Sequence, residues 1–180
     1  MFARVSPLLA VASLTLFTVS PAGAQSVTKD TVAGVTNFAR LETTVACGGA
    51  TKPEAVPELK KMGFASIINL RQPTEAGAMV EEEEAAAKAA EIKYFNIPLN
   101  GQQPDPAVAD KFVATITTPG NEPAYIHCAS GNRAAAMWLI KRIVVDGWET
   151  DRAVAEAGAL GLTNPALQKF ALDYAQSHKK

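Results

Sequence analysis

Ten consecutive residues constrain this chain more than any other feature: Ala-Tyr-Ile-His-Cys-Ala-Ser-Gly-Asn-Arg, residues 124–133. Tyr125 and Ile126 favour a strand. Small residues follow the cysteine, and the apolar run 134–145 reads as a helix ended by Asp146 and Gly147. That helix is apolar on nearly every side, which places it in the middle of a domain, with Lys141 and Arg142 as a solvated patch. A strand that turns through a short loop into a helix aims backbone N–H groups and the positive end of the helix dipole at one spot. Cys128 occupies that spot.

The field that would hold an anion there also favours thiolate over thiol, which makes Cys128 a candidate nucleophile. Arg133 adds a permanent charge on a planar fork suited to two oxygens of an oxyanion. The backbone of Ala129, Ser130, Gly131 and Asn132 would complete the cradle, and the first three keep bulky side chains out of it. The alternative is a buried structural cysteine, but packing alone does not call for Gly131 and Arg133 at these spacings. His127 precedes the nucleophile and either tunes its ionisation or serves as a strand-end residue. Strand alternation turns it to the opposite face, so direct base catalysis is not expected of it.

Residues 1–24 carry Arg4, an apolar run over 7–19, and Ala22-Gly23-Ala24. This is the build of a secretory signal peptide cleaved before Gln25. The expectation is a single domain over 25–180, periplasmic or secreted, with no membrane residence after cleavage. In an oxidising compartment, Cys47 and Cys128 could form a disulfide that protects or switches the nucleophile, or Cys47 could resolve a persulfide. Charge is nearly balanced, 17 basic against 18 acidic residues, and no basic block argues for nucleic acid. Two histidines and two cysteines give no zinc constellation, and no cofactor is implied.

The remaining pattern alternates strands and helices. Residues 41–46 read as a first strand left through Cys47-Gly48-Gly49, after a featureless lead-in over 27–40. Thr51-Lys52-Pro53-Glu54 reads as a helix start, with the helix stopping at Gly63. Strands follow at 64–70 and 94–99, helices at 75–91, 107–117, 151–157 and 165–177. The run Glu81-Glu82-Glu83-Glu84 reads as a solvated helix face near a positive dipole end. This order predicts an α/β fold with a mainly parallel central sheet flanked by helices. In such sheets ligands lie at the carboxyl ends of the strands. Those ends supply Cys47-Gly48-Gly49, Arg71, the 100–105 loop and the Cys128 loop. Arg71 would add positive potential to the cleft or form a surface salt bridge.

His127-Cys128 through Arg133, with residues 38–71 and Tyr94-Phe95-Asn96-Ile97-Pro98-Leu99, resembles the cysteine-based protein tyrosine and dual-specificity phosphatases. The nearest likeness is to the phosphatase-like domain found fused to beta-lactamase-fold hydrolases. The resemblance implies a cysteine phosphatase-like sandwich in which Cys128 attacks phosphorus and Arg133 and the loop amides hold the phosphoryl oxygens. It implies a phosphorylated small molecule or phosphoprotein as the partner, with an aspartate protonating the leaving group. Three departures stand out. Four residues, not five, separate Cys128 from Arg133; Ala134 replaces a hydroxyl; and Gly101 falls near the place of the acid, leaving Asp105 as the only carboxylate of that loop. A helix cap is the competing role for Asp105. The shortened loop is similar to that of rhodanese-type sulfurtransferases, which carry a cysteine persulfide. A third expectation is a catalytically weak anion-binding domain.

Overall fold

A computed structural model describes residues 26–178; the expected signal segment lies outside them. The short strands β1 (Val27–Lys29), β2 (Ala39–Leu41) and β3 (Val45–Gly48) form an antiparallel meander. After it come a 3-10 turn at Pro53–Ala55, helix α1 (Val56–Lys61) and strand β4 (Ser66–Asn69). Helix α2 (Val80–Ala89), strand β5 (Lys93–Asn96) and helix α3 (Pro106–Ile116) lead to strand β6 (Ala124–His127). Helices α4 (Asn132–Val144), α5 (Thr150–Ala159) and α6 (Pro165–His178) complete the described chain.

The sheet has six strands in the order β1-β2-β3-β6-β4-β5, and β3, β6, β4 and β5 run parallel. β6 is therefore central, and its carboxyl end, where Cys128 begins, is flanked by the ends of β3 and β4. This is the mainly parallel α/β fold that the alternation predicts. The expected first strand is instead broken in two by a turn after Leu41, with Glu42 in the left-handed region at φ 43°. Three-residue strands are too short to display alternation, so β1 and β2 carry no sequence signal of their own.

Two apolar layers cover the sheet. One joins Ala46, Ile67 and Tyr125 to Leu59 of α1 and Ala87 of α2. The other joins Cys47, Ile68, Ile126 and Cys128 to α3, α4, α5 and α6. Helix α4 lies at the centre of this second layer, packed against its three helical neighbours, and every residue from Arg133 to Ile143 is buried. Lys141 and Arg142 are therefore not a solvated face. Lys141 pairs with Asp146 at 3.1 Å and Glu122 at 3.3 Å, and Arg142 with Glu156 at 2.7 Å. The two cations lie over the Trp138 ring, and Arg142 also lies over Trp148. Long stems that bury their methylenes and find acids at their tips can occupy a helix with no solvent face.

Candidate active site

The loop 128–131 is stitched to β3 and to the segment before β2. Cys128 N–H donates to Gly48 O at 3.2 Å, Ala50 N–H to Ala129 O at 3.0 Å, and Asn37 Nδ2 to Ser130 O at 3.1 Å. The close approach explains the glycine at position 48: a Cβ there would stand 2.1 Å from Tyr125 Oη. Gly131 closes the loop at φ 97°, a conformation that favours glycine, and opens α4. Its N–H donates to Cys128 Sγ at 3.2 Å. Asn132 and Arg133 follow as the first helical residues, whose N–H groups have no partner within the helix. The loop residues 129–131 and the first residues of α4 thus surround Cys128, which is 1 % exposed.

Arg133 is held as well as placed. Its Nη1 donates to Leu70 O at 3.1 Å, Leu99 O at 2.8 Å and Glu75 Oε1 at 2.6 Å, while Nη2 donates to Glu75 Oε2 at 2.8 Å. Glu75 grips only the Nη1–Nη2 end of the fork. The Nε edge has no hydrogen-bond partner among the described residues, and the guanidinium interacts with the Cys128 sulfur. Burial works against the charge on Arg133. The hydrogen bonds to Glu75 and the charges of Cys128 and Glu75 outweigh it and hold the guanidinium above its ordinary value. Burial likewise opposes the Glu75 charge, but Arg133, the Gln72 N–H and Arg71 bring that carboxyl down to about 2. Glu75 is accordingly ionised at neutral pH.

Glu75 was not among the residues singled out in the sequence, because alanine and glutamate propensity assigns 75–91 to a helix. The helix begins only at Val80. The preceding residues form a loop that Arg71 ties down, its Nη1 and Nη2 donating to Gly77 O and Ala76 O at 2.6 Å each. Pro73 and Gly77 were the available signals for that loop. Arg71 itself is buried and faces Glu75 at 3.3 Å. It props the loop that orients Arg133 and does not line the cleft.

The cleft above the loop has a volume of about 520 Å³ and is bounded by residues of the 72–75, 100–102 and 130–133 segments and of the α5–α6 turn. Gly101 lies against Arg133, with 3.5 Å between a notional Cβ and Cδ. Asp105 stands outside the cleft: it is exposed, and its Oδ1 accepts the Ala107 N–H at 2.9 Å as the N-cap of α3. Cys47 lies beneath the loop on the same face of the sheet as Cys128, and both are free thiols. Burial, with Cys128 and Glu156 adding to it, pushes the Cys47 thiol far up. Asn132 carries a further role: its Oδ1 accepts from Thr163 N at 2.7 Å and Asn164 N at 2.8 Å.

His127 faces the other layer, as alternation requires. It stacks on Tyr125 and lies 2.9 Å from Glu83 Oε1, both side chains fully buried. Neither ring nitrogen of His127 has a partner in hydrogen-bonding geometry among the described residues. Glu83 Oε2 accepts from Asn69 Nδ2 at 2.9 Å and Tyr94 Oη at 3.2 Å. The acidic run is therefore not uniformly a solvated face: Glu81, Glu82 and Glu84 are exposed, and Glu83 anchors a polar cluster under the sheet. Four consecutive acids hide which one points inward.

A central parallel strand that ends in a cysteine, a short amide loop and a helix-borne arginine defines a cysteine phosphatase-like α/β protein. The chain belongs to the family described as DSP-PTPase phosphatase fused to NAD+ kinase, which it matches over residues 21–171. It is 29 % identical over 122 residues to the Beta-lactamase hydrolase-like protein of Xylella fastidiosa, strains Temecula1 and 9a5c. That match covers 65 % of this chain but only 27 % of those relatives. Among solved structures, a DUF442 protein from Shewanella putrefaciens CN-32 shares the fold with a TM-score of 0.68, 17 % identity, and coverage of 82 % and 96 % of the two chains. P. aeruginosa TpbA in complex with pTyr gives 0.62, 18 %, and 87 % and 91 %. The core catalytic domain of the PP-IP phosphatase SIW14 from S. cerevisiae, in complex with citrate, gives 0.62, 19 %, and 80 % and 88 %.

Proposed function

We propose that this chain is an exported, cysteine-dependent phosphatase that cleaves a phosphomonoester through a Cys128 phosphoenzyme. One observation carries the reading. Cys128 Sγ receives the Gly131 N–H at 3.2 Å beside an arginine whose Nη end is clamped by Glu75 and two carbonyls and whose guanidinium interacts with the sulfur. In this reading the Cys128 thiolate attacks phosphorus as the ester P–O bond breaks. The Arg133 guanidinium and the amides of residues 129–133 hold the equatorial oxygens. Glu75 is ionised and Asp105 caps α3, so water supplies the proton to the leaving alkoxide. A second water then attacks phosphorus, the P–S bond breaks, and the thiolate is regenerated. With Ala134 in place of a hydroxyl, this second step is the slow one. Family membership supports the reading, and TpbA, a structural neighbour, is complexed with pTyr. Export rests on the leader features of residues 1–24.

A rhodanese-like sulfurtransferase is the second reading, favoured by the four-residue loop and by a cleft without a proton donor. There Cys128 would hold a persulfide, which needs the loop amides but neither an acid nor a following hydroxyl. A paired assay on reduced protein separates the two, with an aryl phosphate in one arm and thiosulfate plus cyanide in the other. Phosphate release that disappears in Cys128→Ser is expected. Thiocyanate formation alone would overturn the phosphatase and establish the second reading; neither product would leave an anion-binding domain without turnover.

A further inference from the structure

The wall of the cleft is chemically uniform in a way the reaction does not require. Five carboxamides line it, Gln72, Asn100, Gln102, Asn132 and Asn164, and its only charged residues, Arg133 and Glu75, are paired with each other. The orientation of three of them is fixed by the chain. Asn100 Oδ1 accepts Gln102 N–H at 3.0 Å, Asn164 Oδ1 accepts Ala166 N–H at 2.9 Å, and Asn132 Oδ1 accepts the Thr163 and Asn164 N–H groups. A backbone N–H cannot accept, so in each case the oxygen is committed and the amide nitrogen remains as a donor. Asn132 Nδ2 reaches Ser130 Oγ at 3.4 Å. The Nδ2 groups of Asn100 and Asn164, and the side chains of Gln72 and Gln102, have no hydrogen-bond partner among the described residues.

From this we infer that the leaving group is uncharged and rich in hydroxyls: the substrate class is a sugar or polyol monophosphate. The inference rests on the phosphomonoester reading above. Neutral N–H donors match hydroxyl oxygens, and the two glutamine carbonyls can accept from hydroxyls in return. Phosphotyrosine would need a flat apolar or aromatic wall for its ring, and no aromatic residue lines this cleft. A multiply phosphorylated ring would need several cations, and Arg133 is the only one present. A cleft of about 520 Å³ has room for a hexose phosphate.

The test compares kcat/KM of the full reduced chain for glucose 6-phosphate, glycerol 3-phosphate, phosphotyrosine and inositol hexakisphosphate, each against Cys128→Ser. A preference of about tenfold or more for the first two over phosphotyrosine is expected. Gln102→Ala, in an exposed loop, removes one donor and is expected to shrink that preference about three- to tenfold. Asn164→Asp keeps the acceptor that caps α6 but replaces the donor by an anion, and shrinks it further. Cys128-dependent hydrolysis that favours phosphotyrosine or inositol hexakisphosphate, or a preference untouched by both variants, would overturn this inference and leave the phosphatase intact. No Cys128-dependent phosphate release from any substrate would overturn both.

Discussion

Glu75→Gln tests how much of the stability of this fold resides in the clamp on Arg133. The carboxyl stands at about 2 against an ordinary 4.5, a difference worth about 3 kcal/mol at full strength. Its side chain is 23 % exposed, and solvent at that edge screens the pairing, leaving about 1–2 kcal/mol. The sign follows from linkage. A carboxyl lowered in the folded state contributes fully above its unfolded value, near pH 4.5, and loses that contribution as pH falls toward 2. Glutamine keeps the shape and titrates nowhere. Urea unfolding followed by circular dichroism should therefore find the variant about 1–2 kcal/mol less stable at pH 7. The gap should narrow between pH 4.5 and pH 2 as the native protein loses what the variant never had. A gap that is absent at pH 7, or one that persists unchanged at pH 2, would refute the assignment of Glu75 as the partner of Arg133.

Two further substitutions test the roles of two other acids. Glu83→Ala removes the buried acceptor of Asn69 Nδ2 and Tyr94 Oη, so a loss of about 1–3 kcal/mol is expected; a melting temperature within about 2 °C of the native protein would show the polar cluster to be dispensable. Asp105→Asn keeps an acceptor for the Ala107 N–H and abolishes only the capacity to give up a proton. Turnover with an alkyl phosphate is expected to stay within about twofold of the native value, and a loss on the general-acid scale of about a hundredfold or more would place Asp105 in the chemistry after all.

What could be read in the sequence was what is local. A strand, a four-residue loop and a buried helix are contiguous at residues 124–144, so their chemistry lies in the order of the letters. The pieces that complete the site arrive from elsewhere by tertiary contact. Glu75 is 58 residues before Arg133, and it lies in a loop only because Arg71 pins the carbonyls of Ala76 and Gly77 against the local helical preference. Glu83 differs from its three acidic neighbours in nothing but the direction it faces. Lys141 and Arg142 look solvated by type, yet the helix that carries them has no outward side. In each case a long-range partner overrides what the side chain would do alone.

The acceptance of the Thr163 and Asn164 N–H groups by Asn132 has a consequence for the C-terminal third of the chain. One carboxamide oxygen ties the first turn of α4 to the turn that starts α6, so the outer wall of the proposed anion cradle is contributed by residues about thirty positions downstream. Trimming the chain back to the sheet and α4 would keep the cysteine and the arginine but lose the brace that keeps their loop from splaying. If the loop holds an anion as proposed, the smallest fragment able to do so is one that still includes α6, and mutations along that helix, far from the sulfur, would be felt as changes in affinity.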